Sequence, residues 1–167
     1  MKDHSVVAPV VFDSPNVSDD RERLLTTYYR PHHQRLASEV NRVLMHHGKA
    51  LILDCHSFSS KPLMYELDPN PDRPDICIGT DSWHTPRDLA EGLANAFGKR
   101  GWSVAFNAPF SGSMVPSEYY FRTKAVASIM VDVNRNRYID EATGQRNETF
   151  AMTRRLVRDC LSAAIDQ

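Results

Sequence analysis

The sequence lacks several features that mark particular classes of protein. No apolar run approaches the ~20 residues of a membrane-spanning helix. Lysine and arginine (20) nearly balance aspartate and glutamate (21), and no basic patch predicts binding to nucleic acid. Cysteine is scarce: Cys55, Cys77 and Cys160 are odd in number and far apart. This pattern predicts reduced thiols in a cytoplasmic protein, with no membrane and no nucleic acid among its partners.

The composition that remains is typical of a globular protein, and we expect one domain over residues 1–167. Strands are predicted at 6–12, 50–55, 75–80, 102–106 and 125–133. Helical patterns cover 18–29, 31–47 (with Gly48 as its C-terminal cap), 85–97 (with Thr85 as N-cap) and 150–164. Because strands and helices alternate, the sequence predicts an α/β protein with a mostly parallel sheet and helices on both faces.

The most informative stretch is the apolar run at 50–53, which leads into Asp54, Cys55, His56 and Ser57. Four apolar residues without alternation favour a strand that is covered on both faces. In open α/β sheets, ligands bind beyond the carboxyl ends of the strands. His56 there could bind a metal or carry a proton, with Asp54 holding the other ring nitrogen. The alternative is a histidine that caps a turn.

Polar residues also follow two later strands and are expected at the same rim of the sheet. They are Asn107, Asp132, Asn134 and Arg135. A carboxylate inside the apolar strand 125–133 is costly unless it is paired or functional, so Asp132 is either a catalytic acid/base or an ion-pair partner. Arg122 and Arg135 have the planar fork that suits a substrate carboxylate. Tyr138 could place a hydroxyl at the rim or simply pack.

These motifs, in this order, resemble the N-formylglutamate amidohydrolase family. They are LDCHS at 53–57, PDICIG at 74–79, NAPFSG at 107–112 and VDVNR at 131–135, with Tyr138 and the acidic pair 140–141. YYRPHH at 28–33 is similar to a helix start of that family. The resemblance implies a three-layer, phosphorylase/hydrolase-like fold. It also implies cleavage of an amide next to an acidic side chain, at a metal, expected to be zinc, held by two histidines and a carboxylate.

Carried over residue by residue, the resemblance assigns roles to the polar residues above. His56 matches the later metal-binding histidine, and Asp132 falls where the family usually has a glutamate as general base. Arg122, Asn134 and Arg135 match residues near the substrate carboxylates. Arg122 joins Asp132 as a catalytic candidate. The candidates for substrate binding are Asn107, Asn134, Arg135 and Tyr138.

The chain departs from the family pattern at its beginning. Asn16 stands where the family has its first metal-binding histidine, and the segment with the acidic ligand is missing before Asp19. Zinc needs about three protein ligands, so His56 would need help, for instance from His4, His33 or His84. The first hypothesis is metal-dependent hydrolysis of a small N-acyl acidic amino acid such as N-formylglutamate. The second is a metal-free relative that binds a small carboxylate ligand or a protein partner. A third is a partial gene product with an incomplete core.

Overall fold

The computed structural model describes residues 17–165. The strand predicted at 6–12, together with His4 and Asn16, lies outside this range. The chain divides into two compact units, one up to Ser38 and one from Glu39 onward, and each is described by itself. A single domain over the whole chain stays a prediction.

The first unit is helical. Helix α1 covers Val17–Leu24, a π-helical turn covers Leu25–Tyr29, and α2 covers Arg30–His47 and runs on into the second unit. The sequence predicted a break before Pro31, but the helix continues through a π turn in which the Arg30 N–H bonds the Leu25 carbonyl oxygen. A π turn beside a proline is reasonable because proline has no N–H to donate to the helical ladder.

The end of α2 confirms the predicted glycine cap. Gly48 adopts a φ of +70°. Its N–H bonds the Leu44 carbonyl oxygen at 2.8 Å. A left-handed residue at this position ends helices commonly, and glycine adopts it without steric cost.

The second unit is built on a four-stranded mixed sheet. Its strands are β1 (Ala50–Phe58), β2 (Ile76–Gly79), β3 (Val104–Phe106) and β4 (Val126–Asn134). Their order is β1-β4-β2-β3. The β1–β4 and β2–β3 pairs are parallel, and β2 runs antiparallel to β4. The predicted α/β class with a mostly parallel sheet is therefore confirmed, with one antiparallel pair that the sequence did not predict.

Helices α3 (Arg87–Gly98) and α4 (Phe150–Ile165) complete the unit. The predicted cap of α3 was wrong: Pro86 is the N-cap residue, and no side chain caps the helix. The Thr85 hydroxyl instead donates to the Ser128 carbonyl oxygen at 2.7 Å. Within residues 17–165, no helix is both long and apolar enough to cross a membrane. Cys55, Cys77 and Cys160 are all free thiols, as predicted.

The two faces of the sheet carry different side chains, because successive residues of a strand point to opposite faces. One face, called the helix face here, packs fully buried apolar side chains against α3 and α4. They include Ile76, Ile78, Ile129 and Val131. The opposite face, called the loop face, carries polar residues of β1 and β4. They are Asp54, His56, Ser128, Asp132 and Asn134.

The loop face lies against the segment 107–115. The Ser128 hydroxyl donates to the Met114 carbonyl oxygen at 2.7 Å, and the Cys77 thiol donates to the Phe110 carbonyl oxygen at 3.1 Å. A Cβ added at Gly79 would collide with the Gly112 carbonyl oxygen. The glycine at 79 therefore permits this close approach of segment and sheet.

Candidate functional site

The register of the sheet brings the predicted histidine and carboxylate together. His56 of β1 is the direct neighbour of Asp132 of β4, which in turn neighbours Cys77 of β2. Asp54 lies two residues before His56 and therefore on the same face. The sequence placed these groups at a common rim, and in the structure they lie side by side on the loop face.

Asp54 holds the imidazole of His56. One carboxylate oxygen, Oδ1, lies 2.7 Å from the histidine Nε2, and the other accepts the N–H of Met114 at 3.2 Å. The His56 side chain is 50% exposed, whereas that of Asp54 is 17% exposed. The carboxylate is thus fixed by two partners, and Nδ1 is the ring nitrogen that His56 keeps for a ligand.

Asp132 is buried without a full set of partners. It is 3% exposed, and its Oδ1 makes no hydrogen bond within residues 17–165. Burial raises the pKa of Asp132 to about 6, and the repulsion of Asp54 adds to this, while the charges of His56 and Arg135 act in the opposite direction. A carboxyl with a pKa near neutrality that sits beside a histidine is typical of functional sites.

Arg135 belongs to the same cluster. Its positive charge opposes the rise in the pKa of Asp132. Its Nε is buried without a hydrogen-bond partner among the described residues. The structure therefore brings His56, Asp132 and Arg135 together. Unsatisfied buried donors and acceptors are uncommon in folded proteins, and here a donor and an acceptor lie in one cluster.

The two asparagines predicted to bind substrate have other partners. The Asn107 amide donates to the Thr80 hydroxyl and accepts the Thr80 N–H, both at 2.8 Å. Asn134 donates to the Pro74 carbonyl oxygen at 2.9 Å and accepts the N–H of Asn136. Both amides therefore fasten loops to strand ends in this structure, although their assigned role in binding stays a prediction.

Arg122 and Tyr138 lie in two different cavities. Arg122 lines a cavity of about 640 Å³ next to the loop face, together with Asp54 and Tyr120. Tyr138 lines a second cavity, of about 530 Å³, together with His56. Tyr138 also packs its ring edge-on against Phe150. The second cavity lies on the helix face, where Leu53, Val133 and α4 line it, and the first lies next to the loop face, so the sheet separates the two.

Sequence reasoning missed one part of the site. Ser113, whose hydroxyl is buried without a partner among residues 17–165, lines the cavity that contains Arg122 and Asp54. Its neighbour Met114 supplies the N–H that holds Asp54. Neither residue type signals a role, and only their position directly after the loop at 107–112 could have suggested one.

A zinc ion does not fit the described residues by themselves. Within residues 17–165, no three histidine, cysteine, aspartate or glutamate side chains are arranged to hold a metal ion. His84 is unsuited as a ligand because its ring nitrogens bond the Val126 carbonyl oxygen and the Phe121 N–H. His33 lies in the first unit and packs on the Tyr29 ring. Zinc, with His56 as a ligand, stays a prediction.

Comparison with known proteins identifies relatives of this chain. The sequence profile of the N-formylglutamate amidohydrolase family matches residues 4–139. An N-formylglutamate deformylase of Pseudomonas aeruginosa is 25% identical over 153 residues, which are 89% of this chain and 56% of the relative. One from Pseudomonas putida is 27% identical over 126 residues, which are 74% of this chain and 46% of the relative. The chain thus spans about half the length of these relatives.

Solved structures show the same likeness. The N-formylglutamate amidohydrolase of Ralstonia eutropha JMP134 superposes with a TM-score of 0.74 at 26% identity, covering 89% of this chain and 54% of that one. A gene product of Agrobacterium tumefaciens gives a TM-score of 0.61 at 16% identity, covering 93% of this chain and 55% of that one. The second likeness concerns the fold alone.

Proposed function

Because this chain belongs to the N-formylglutamate amidohydrolase family, we propose that it hydrolyses the amide of N-formylglutamate or of a closely related small N-acyl acidic amino acid. The observation that supports this most is Asp132, a buried carboxylate whose pKa is raised to about 6 and which lies beside His56. Such a carboxylate is ionised at neutral pH and is still basic enough to take a proton from water.

The reaction needs one proton acceptor that later becomes a donor. Water attacks the formyl carbonyl carbon while Asp132 takes its proton, and a tetrahedral intermediate forms. The C–N bond then breaks, and the proton on Asp132 passes to the leaving nitrogen. Formate and the free amino acid result, and the carboxylate is regenerated.

The Asp54–His56 pair is suited to stabilise the charge that develops on the carbonyl oxygen. Asp54 fixes the ring through Nε2, so Nδ1, when it carries a proton, can donate to the oxyanion. His56 is half exposed and can therefore meet a substrate. Preorganised donors of this kind stabilise a developing negative charge more strongly in a site shielded from water than in solution.

Two guanidinium groups are available for the carboxylates of the substrate. Arg122 lines the cavity that Asp54 also lines, and Arg135 lies beside Asp132 with a buried Nε that has no partner in the described part of the chain. A dicarboxylate such as N-formylglutamate needs two such anchors. Bidentate guanidinium–carboxylate pairs fix orientation as well as charge.

Zinc, predicted from the resemblance, would polarise the carbonyl and activate the attacking water when bound. The described residues do not supply its ligands, so the steps above use only side chains of this chain. A set of three protein ligands would have to include at least one residue from outside residues 17–165.

A second candidate is binding of a small carboxylate ligand without turnover. It is favoured by the absence of a three-ligand metal group within residues 17–165 and by the short arm of Asp132. A displacement of ~1 Å at a reacting group can cost about a hundredfold in rate.

The test is formate release from N-formyl-L-glutamate, measured for the full chain with a chelator and again with added zinc. We expect turnover that falls by at least about a hundredfold in Asp132→Asn, in keeping with the loss of a general base. The rate should also decline below about pH 6 as Asp132 takes up its proton. Asp72→Asn, a change at an exposed aspartate, is the matched control.

Two other results would change the conclusion. No formate release under either metal condition, together with measurable binding of N-formylglutamate by calorimetry, would leave the second candidate in place. Turnover that Asp132→Asn does not affect would remove Asp132 from the mechanism.

A further inference from the structure

His84 is a buried histidine that the proposed chemistry does not use. It is 2% exposed and lies shortly before the start of α3. Its Nδ1 lies 2.7 Å from the carbonyl oxygen of Val126, the first residue of β4, and the Phe121 N–H donates to its Nε2 at 3.1 Å. A carbonyl oxygen only accepts and a backbone N–H only donates, so the ring is neutral and carries its proton on Nδ1.

The bond to Nε2 fixes a residue with an unusual backbone conformation. Phe121 has a φ of 55°, in the left-handed region that bulky residues rarely adopt. Such a conformation persists only where the surrounding structure holds it, and it occurs often at sites that bind ligands. The N–H bond to His84 holds the backbone of Phe121, and its ring packs against that of Trp83 with the centroids 5.6 Å apart.

The two neighbours of Phe121 line the cavity of about 640 Å³ next to the loop face. Tyr120 and Arg122 line it together with Asp54, whose carboxylate bonds His56. Within the described part of the chain, no residue forms an ion pair or a side-chain hydrogen bond with Arg122. Its guanidinium group is therefore available to an anion in the same cavity that Asp54 lines.

Tyr120 connects His84 to the turn a second time. Its ring stacks on the imidazole, with the centroids 5.4 Å apart and the planes 21° from parallel. Its hydroxyl donates to Asp81 at 3.1 Å, and the other carboxylate oxygen of Asp81 accepts the N–H groups of Trp83 and His84. Both residues that precede Arg122 in the chain thus contact the same buried histidine.

We propose that His84 is a positioning residue, which holds Phe121 through its Nε2 and thereby keeps Arg122 at the cavity, where it binds a carboxylate of the substrate. The inference rests on the proposed function, in which Arg122 is one of two anchors, and adds the residue that orients this anchor. His84 acts on the substrate only through Arg122. A neutral ring suits this role, because an imidazole with protons on both nitrogens has no acceptor for the Phe121 N–H.

Two substitutions separate the two bonds of the ring. The amide of an asparagine lies where Nδ1 lies, so His84→Asn retains a donor for Val126 but has no acceptor for the Phe121 N–H. The carbonyl oxygen of a glutamine reaches the place of Nε2, so His84→Gln retains that acceptor. In calorimetry with the full chain, His84→Asn should weaken the binding of N-formyl-L-glutamate by at least about tenfold, and His84→Gln by less than about threefold.

A double-mutant cycle shows whether the effect passes through Arg122. The anchor is absent in Arg122→Gln, so the further change His84→Asn should alter the affinity by less than about threefold. In the formate-release assay, His84→Asn should raise KM and leave kcat nearly unchanged, because the anchor holds the ground state and the transition state alike. His47→Asn, at an exposed histidine that ends α2, is the matched control and should leave binding unchanged.

A measurement without substitution covers the case in which His84→Asn does not fold. Coupling between two sites is reciprocal, so N-formyl-L-glutamate bound at Arg122 should slow hydrogen exchange of the Phe121 amide by at least about threefold. The amide of Leu67, an exposed loop residue, is the internal control and should exchange at the same rate with and without the ligand. NMR spectroscopy follows both amides in one sample.

The outcomes separate this inference from the proposed function. Three results would each overturn the inference alone: equal losses of affinity in His84→Asn and His84→Gln, an effect of His84→Asn that persists in Arg122→Gln, or exchange at Phe121 that the ligand does not slow. The expected pattern of affinities without formate release, with a chelator or with zinc, would uphold the positioning role and overturn the enzyme. Failure of the unaltered chain to bind N-formyl-L-glutamate under both conditions would overturn both.

Discussion

The helix face and the loop face belong to one sheet but differ in what covers them. On the helix face, Ile76, Ile78 and Ile129 are fully buried against the apolar residues of α3 and α4. On the loop face, Asp132 is buried almost as deeply, at 3% exposure, yet one of its oxygens has no partner within residues 17–165. The first face stabilises the fold, and the second holds a charged group at a cost in stability.

The two faces differ in composition because successive side chains of a strand point to opposite faces, and because helices cover one face and an irregular segment covers the other. Helices present continuous apolar stripes, and the odd-numbered residues of β4, which face them, are all apolar: Ala127, Ile129, Val131 and Val133. The segment 107–115 is irregular and presents backbone groups, which bond polar side chains such as Ser128. Strained or unsatisfied groups persist only where the surrounding structure is stable enough to hold them, and the helix face supplies that stability.

The largest effect should come from breaking the helix face. Phe97 of α3 is fully buried beside Trp102. Phe97→Ala should lower the free energy of unfolding by about 3–5 kcal/mol, because the transfer term and the new cavity add. Urea denaturation measures this. Tyr65→Ala, at a side chain that is 82% exposed, is the control and should change little. Equal losses in both variants would show that the helix face is not the main core.

A substitution at Asp132 should instead raise the free energy of unfolding. Its pKa is about 6 in the folded protein and about 3.9 in an unfolded chain. Between these values the folded state keeps a proton that the unfolded state has lost, so stability falls as the pH rises from 4 to 6 and stays low above that. Asp132→Asn removes the charge and should raise the free energy of unfolding at pH 7 by up to about 3 kcal/mol.

The pH dependence separates this effect from a change in packing. The advantage of Asp132→Asn should disappear below about pH 4, where the native carboxyl is protonated in both states. Urea midpoints measured from about pH 3 to pH 8 give the curve, with Asp72→Asn as the matched change at an exposed position. A constant difference across this range would show that ionisation is not its cause.

The contact between the loop segment and the sheet can be tested at Gly79. A Cβ there would collide with the Gly112 carbonyl oxygen and the Met130 side chain. Gly79→Ala should cost about 2 kcal/mol, since overpacking shifts the backbone. It should also lower kcat/KM, because the displaced segment carries the Met114 N–H that holds Asp54. Gly98→Ala, with open space around the added Cβ, should be neutral or slightly stabilising. An unchanged kcat/KM in Gly79→Ala would show that the position of the segment 107–115 does not affect the site.

The sequence predicted correctly those features that depend on neighbouring residues, such as the alternation of side chains along a strand and the residue that ends a helix. The alternation of side chains placed Asp54 and His56 on one face, and the apolar stretch after residue 125 predicted β4 and the unusual position of Asp132. The cap of α2 was also predicted, because the conformation of Gly48 depends on its neighbours in the chain.

The misses arise from contacts between residues far apart in the sequence. Thr85 fits an N-cap locally, but its hydroxyl finds the Ser128 carbonyl oxygen, 43 residues away. The antiparallel pairing of β2 with β4 depends on the path of the chain between strands, which side-chain patterns do not encode. Arg122 and Tyr138, both candidates for the site, line separate cavities because they follow different connections, and their assigned roles stay predictions.

The substitution with the smallest expected effect is Asn107→Gly. It tests whether the Asn107 side chain binds substrate or only holds the loop face together. Its φ of 55° favours asparagine or glycine, so Asn107→Gly removes the amide without adding backbone strain. If the amide serves only Thr80, the free energy of unfolding should fall by about 1 kcal/mol, and binding of N-formylglutamate should change by less than about threefold. Calorimetry and urea denaturation of the same preparation give both values.

Thr80→Val supplies the partner for a double-mutant cycle. If the two side chains stabilise each other, the losses of stability in Asn107→Gly and Thr80→Val should be less than additive in the double variant. A tenfold loss of binding in Asn107→Gly that Thr80→Val does not share would mean instead that the amide contacts the substrate. In that case the role predicted from the sequence is right, and the bonds to Thr80 are those of the ligand-free protein alone.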